Sequence, residues 1–147
     1  MPDKISIIIN LEIVFLLVLL LLFHELLHLI FIPHFIKSEK TYAGLTLFGG
    51  FVITEEEISK ARYIVITIAP FMIISIIFPL ILSVFGLLTT TLKFLIILNA
   101  MASSVDMLNM FLIIKQVPKN ATLKSNGPDT YWKNAQRNEE YKFNRSL

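Results

Sequence analysis

The chain has 147 residues, 55% of them hydrophobic and only 16% charged, with a formal net charge of +2 and a mean hydropathy of +0.71. That is enough chain for one domain, but it carries more apolar surface than a soluble domain of this size can bury. There is no cysteine, which excludes disulfides and cysteine-ligated zinc. The basic residues are scattered and no glycine-rich nucleotide motif is visible, so nothing points to nucleic acid.

The first apolar run covers roughly residues 5–36. It follows a weakly charged "MPDK" and continues far past a signal-peptide core without a small-residue cleavage site, so it reads as a retained membrane span. Inside it stands "FHELLH", which places His24, Glu25 and His28 in the middle of a greasy segment. Residues 37–62 form a loop holding "TYAGLTLFGGFVIT". This reads as a β-hairpin over about 41–54, with strands Thr41–Phe48 and Phe51–Thr54 around a Gly49-Gly50 turn. Thr54 followed by Glu55, Glu56 and Glu57 resembles a capping box, so a helix is expected to start near Glu55 and run into the second span.

The second span covers roughly residues 63–88, and from Ile64 to Leu92 there is no ionisable side chain. Stretches such as "FMIISIIFPLIL" show no polar face at helical period, which argues against a soluble helical core. Pro70 and Pro79 lie within this span. Each removes a helix hydrogen bond and frees a carbonyl four residues earlier, that of Ile66 or of Ser75, and kinks the helix. The third span covers roughly residues 92–114 and carries "NAMASSVD". Each run meets the 20 or so residues that a bilayer crossing needs. Residues 119–147 are polar, with a "KSNGPDT" turn and the aromatics Tyr131, Trp132, Tyr141 and Phe143. This tail is read as packing on the cytoplasmic face, lying at the lipid interface, or partly disordered.

The expected fold is therefore an all-α integral membrane protein with a core over residues 1–118. Three transmembrane helices carry a small cytoplasmic β-hairpin between the first and second. Lys37, Lys40, Lys60 and Arg62 lie in the first loop, and Lys115, Lys119, Lys124 and Lys133 follow the third span. Only Lys4 and Lys93 fall on the opposite side. The positive-inside rule then puts the N-terminus outside, and the first loop and C-terminus in the cytoplasm.

A charge at mid-bilayer costs about 2.5–3.5 kcal/mol on insertion scales, so Glu25 needs compensation. Residues at i and i+4 share a helix face about 5–6 Å apart. His24 and His28 can therefore aim both imidazoles at one ion, and zinc suits imidazole. Glu25 projects beside that face, where it can serve as general base towards water rather than bind the metal. The plainer reading is that the three residues only make interhelical hydrogen bonds. A catalytic zinc usually takes three protein ligands. His34 follows Pro33 six residues after His28, off the shared face, and reads as an interfacial residue. Asp106 is the only acidic residue of the third span and is the better third ligand. Asn99, Ser103 and Asp106 follow i, i+4, i+7 spacing and make a polar stripe, which can also act as interhelical glue. His28 lies nine residues before Lys37 and Asp106 nine before Lys115, so the two are expected at matching depth in the cytoplasmic half.

"HELLH" in a first span, a hairpin after it, "APF" in the second and "NAMASSVD" in the third resemble the zincin-type integral membrane metallopeptidases of bacteria. These are similar in plan to the site-2 protease class of intramembrane zinc metalloproteases, and the resemblance covers most of residues 12–118. It implies that His24, His28 and Asp106 hold Zn2+ and that Glu25 activates water. Where that class has a Leu-Asp-Gly motif, this chain has Val105-Asp106-Met107.

The expected function is a zinc-dependent endopeptidase that cuts a membrane-embedded or membrane-proximal peptide. An exposed hairpin strand would hold the unwound substrate, and Asn99 or Ser103 would donate to the developing oxyanion. A second reading is a non-catalytic membrane protein that uses the same site for structural metal and acts as a partner-binding, accessory or immunity factor. A third, a metal transporter, finds little support, because no ladder of polar residues runs along the spans.

Overall fold

The protein is described here from a computed structural model covering residues 11–39, 41–46, 49–126, 129–134 and 142–144. Three long apolar helices dominate it: Leu11–Phe31, Lys60–Val84 and Thr90–Gln116, each long and apolar enough to cross a membrane. The first is α1 (Leu11–Phe31). At 1.5 Å per residue its 21 residues span about 31 Å. Residues 5–10 of the expected first span lie outside the described residues. At its other end α1 stops five residues earlier than expected. Pro33 disfavours helical geometry at the residue before it, and His34 takes a left-handed backbone with φ of 57°. The His34 carbonyl then accepts from the amides of Lys37 and Ser38 at 2.8 and 3.0 Å, closing a turn. Arg62 Nε donates to the Phe31 carbonyl at 3.3 Å and caps the broken end.

The hairpin is present, as β1 (Thr41–Thr46) and β2 (Gly49–Thr54), but its turn is displaced. Thr41 pairs with Thr54 and Thr46 with Gly49, so Gly49 and Gly50 begin the second strand instead of forming the turn. Residues 47–48, between the two strands, are outside the described residues. This register sets Phe51 opposite Gly44, and the phenyl ring lies where a Cβ would be, 2.5 Å from that position. A side chain at position 44 would require that ring to move aside.

The helix expected from Glu55 starts instead at Lys60. Thr54 Oγ1 accepts from the Glu56 amide at 3.2 Å, a local turn rather than a cap three residues on. A two-residue strand, β3 (Ile58–Ser59), follows, and then α2 (Lys60–Pro70). A π-helical segment, Phe71–Ile77, joins α2 to α3 (Phe78–Val84). The long helix ends four residues earlier than expected, in a turn at Gly86 with φ of +67°. There the Leu87 amide donates to the Leu82 carbonyl and the Gly86 amide to that of Ser83. The third long helix begins with Thr89 accepting from the Leu92 amide. It consists of α4 (Thr90–Ala102) and α5 (Ser104–Gln116), which meet at Ser103.

The polar tail is not a featureless extension. Residues Ala121–Asn126 (β4), Asp129–Asn134 (β5) and Lys142–Asn144 (β6) join β3 in an antiparallel sheet of order β3-β4-β5-β6. Ile58 pairs with Leu123, which is fully buried. Ile113, Val117, Ala121 and Leu123 form one apolar cluster against Tyr63 and Trp132. Ile32, Ile58 and Ile66 form a second, which also meets Tyr63. The linker 55–57 is tied to this sheet by Lys124–Glu55 (3.9 Å) and Lys133–Glu57 (2.6 Å). Tyr141, the remaining tail aromatic, is outside the described residues.

Lys60 is buried, and its ammonium donates to the carbonyls of Ile114 and Val117 at 3.0 and 2.6 Å. A cation thus satisfies the end of α5 and clamps the second long helix to the third. Lys60→Met leaves those carbonyls without their donor and is expected to lower unfolding stability by about 2 kcal/mol. Thermal unfolding in detergent checks this, and an unchanged midpoint would show that the clamp contributes nothing.

Candidate metal centre

The site is built from the α1 face that carries His24 and Leu27, the two buried residues of that helix. His28 lies one turn further on, with its ring 5.1 Å from that of His24 and nearly edge-to-face at 71°. Across from them α5 supplies Asp106 in its first turn. Asp106 Oδ2 lies 3.2 Å from His24 Nε2 and 3.5 Å from His28 Nε2. Ligands at 2.0–2.1 Å from a tetrahedral zinc lie about 3.3 Å apart. Two edges of the triangle therefore already match, and all three donor atoms fall within 4.8 Å of one another.

The back of each ring settles which nitrogen is free. His28 Nδ1 lies 2.9 Å from the Ile66 carbonyl, which can only accept. Nδ1 therefore carries a hydrogen, and Nε2 is the nitrogen turned towards Asp106. His24 Nδ1 lies 2.9 Å from Asn99 Oδ1. The Asn99 orientation is fixed in turn. Its Nδ2 donates to the Pro70 carbonyl at 3.4 Å and to Ser75 Oγ at 3.0 Å, and Ser75 Oγ donates to the Ile96 carbonyl at 3.4 Å. The Asn99 oxygen must then accept from His24 Nδ1, and Nε2 is the nitrogen that faces Asp106. Two imidazole Nε2 atoms and a carboxylate oxygen thus face one small space, where a proton or a cation fits between them. This donor set fits zinc, with both histidines held by their outer nitrogens as metal-ligating histidines usually are.

The three residues come together as their spacing led one to expect, but the depth argument that favoured Asp106 does not describe the chain. Its reference point, Lys37, lies beyond the end of α1, whereas α5 continues for ten residues past Asp106. His34 is exposed and outside the cluster.

Glu25 is half-buried and not among the converging donors, yet it lines the same cavity as His28 and Asp106. That cavity has a volume of about 450 Å³ and extends from the cluster along β2 towards Ser125 and Thr130 of the tail sheet. His24 does not line it. Asn99 and Ser103 do not line it either, and both are fully buried. The oxyanion role expected of them does not match this placement. The Asn99 amide is consumed behind His24, and Ser103 Oγ finds no hydrogen-bond partner among the described residues. Residues not picked out from the sequence are Ser75, which orients Asn99, and Asn109, which lines the cavity one turn after Asp106. Ser75 is one of three aliphatic hydroxyl residues in the second span, with Thr67 and Ser83, and the sequence does not single it out among them.

A family model described as "Putative zincin peptidase" matches residues 16–122, from within α1 to the start of β4. No curated protein and no solved structure matches.

Wild-type protein is expected to bind close to one zinc per chain. His24→Ala and Asp106→Ala should each remove most of it, since each deletes one of three ligands. Elemental analysis of the three purified proteins decides this, and equal zinc in all of them would show that the metal lies elsewhere.

Proposed function

The chain belongs to the zincin peptidase family whose model covers residues 16–122, and on that premise we propose that it is a zinc-dependent endopeptidase acting within or beside a membrane. The observation that carries this reading is the convergence of His24, His28 and Asp106 from two separate helices, with Glu25 left free on the same cavity. His24, His28 and Asp106 would hold a zinc ion, which would supply Lewis acidity at the cavity and make a water more acidic. Asn99 and the Ile66 carbonyl orient the two imidazoles through their Nδ1 atoms. Glu25 takes a proton from the attacking water as its oxygen bonds to the scissile carbon. It returns that proton to the amine nitrogen as the C–N bond breaks.

Membrane insertion rests on the exposed apolar surface. Phe15, Leu80 and Val84 are 65%, 63% and 83% exposed, on helices that show such residues on several sides. Water-soluble proteins do not leave apolar surface of that extent uncovered. The three helices then cross the bilayer with both small sheets on one side. Lys37, Arg62, Lys115, Lys119, Lys124 and Lys133 gather on that side, which supports a cytoplasmic location for the sheets and cavity mouth and an outside N-terminus. The HELLH helix, the distant aspartate and the intervening hairpin support kinship with site-2 proteases. The substrate is a membrane-associated peptide in extended form. Among the described residues β2 pairs only with β1, and residues 51–54 border the cavity, so the second edge of β2 is positioned to accept a substrate strand by main-chain hydrogen bonds.

Glu25→Gln is expected to slow cleavage of a single-span reporter in proteoliposomes by about 10²–10⁴-fold. Zinc content and melting temperature should stay at wild-type values. Intact reporter in the zinc-loaded wild type would instead favour a non-catalytic binding protein. For the orientation, alkaline phosphatase fused after Leu147 should be inactive in cells, because that enzyme needs the oxidising outside. An active fusion would reverse the topology.

A further inference from the structure

Pro70 has a use that its place in an apolar helix does not announce. In an uninterrupted α-helix the amide of residue 70 donates to the carbonyl of residue 66. Proline has no N–H, and its ring crowds the carbonyl four residues earlier and tilts it off the helix axis. That carbonyl belongs to Ile66, and it is the group that accepts from His28 Nδ1 at 2.9 Å. The Pro70 carbonyl, at the start of the π-helical segment, accepts from Asn99, which holds His24. One break in the second long helix thus stands behind both imidazoles.

We propose that Pro70 is a positioning residue for the metal centre: by withholding an amide hydrogen it reserves the Ile66 carbonyl for His28 and so presents Nε2 to the ion. This rests on the metal-centre reading above. With alanine at position 70 the helix regains its donor, the Ile66 carbonyl swings back along the axis, and His28 loses the partner that sets its tautomer. Pro79 is the internal comparison. It lies in the same helix, and no described hydrogen bond of the centre uses the Ser75 carbonyl that it frees.

The test is zinc affinity, by competition with a chelator, of full-length wild type, Pro70→Ala and Pro79→Ala, alongside the melting temperature of each metal-free protein. Pro70→Ala is expected to bind zinc about 10–100-fold more weakly. Its metal-free melting temperature should be unchanged or higher, because a helix hydrogen bond is restored. Pro79→Ala should keep wild-type affinity. A wild type that takes up no zinc overturns the metal-centre reading itself, and this proposal with it. Equal affinity in wild type and Pro70→Ala overturns the proposal alone. So does an equal loss in Pro79→Ala, or a fall in metal-free stability that accompanies the loss in Pro70→Ala, since general helix geometry would then be the cause. Should Pro70→Ala fail to fold, nitrogen-15 NMR of the histidines in zinc-loaded wild type remains decisive. His28 with a protonated Nδ1 and a ligating Nε2 supports the proposal, and ligation through Nδ1 overturns it.

Discussion

Two imidazoles can present the same nitrogen to one point only if something fixes both rings from behind. In this protein that constraint involves all three long helices at once. His24 and His28 come from the first, Asp106 and Asn99 from the third, and the Ile66 and Pro70 carbonyls from the second. The second helix supplies none of the three grouped donor atoms, yet its Ile66 carbonyl accepts from His28 directly and its Pro70 carbonyl accepts from Asn99, the partner of His24. The hydrogen-bond chain from His24 through Asn99 and Ser75 to Ile96 has one direction only. The Pro70 and Ile96 carbonyls, which can only accept, orient the Asn99 amide and the Ser75 hydroxyl, and so give His24 Nδ1 an acceptor.

Away from the centre the order comes from ordinary apolar packing. Tyr63 joins both buried clusters, so the start of the second helix is packed against the tail sheet on one side and the end of α1 on the other. Lys60, three residues before it, adds the clamp on α5. The exposed ion pairs of Glu55 and Glu57 contribute little to stability. Their effect is to keep the linker after β2 beside the sheet.

The grouping of His24, His28 and Asp106 was legible because most of its signal is local. An i, i+4 histidine pair with an intervening glutamate needs only helical periodicity to be read, and Asp106 was the sole acid available in its span. The Asn99 role was not legible. A polar stripe shows that Asn99 and Asp106 share a helix side, but not that the amide turns away from the cavity to meet His24. That depends on where the π-helical segment places Ser75 and Pro70. The freed Ile66 carbonyl could be read from Pro70, whereas its partner could not, because nothing in the sequence sets how α1 and α2 are rotated against each other. The Gly49-Gly50 turn failed for a related reason. Turn propensity favoured it, whereas the strand register carries both glycines into β2, with Phe51 opposite Gly44. The tail strands were missed because "ATLKSN" and "DTYWKN" carry few aliphatic residues, although a turn signal stands between them. Their order depends on Leu123 and Ala121 meeting the end of α5.

The early end of α1 sets how this architecture divides its labour. The helix gives out three residues after His28, so it forms a floor bearing the reactive groups and nothing above it. The headroom left by the missing turns is filled by the hairpin and the tail sheet, a roof hung from residues 32–40 and 55–59. The tail sheet is joined as well through residues 117–120 to α5, and Ile113 and Val117 pack against Ala121 and Leu123. Roof residues Phe51 to Thr54, Ser125 and Thr130 share one cavity with Glu25, His28 and Asp106 of the floor. Exchanging one of those roof side chains therefore reshapes the cavity without altering the grouped residues themselves.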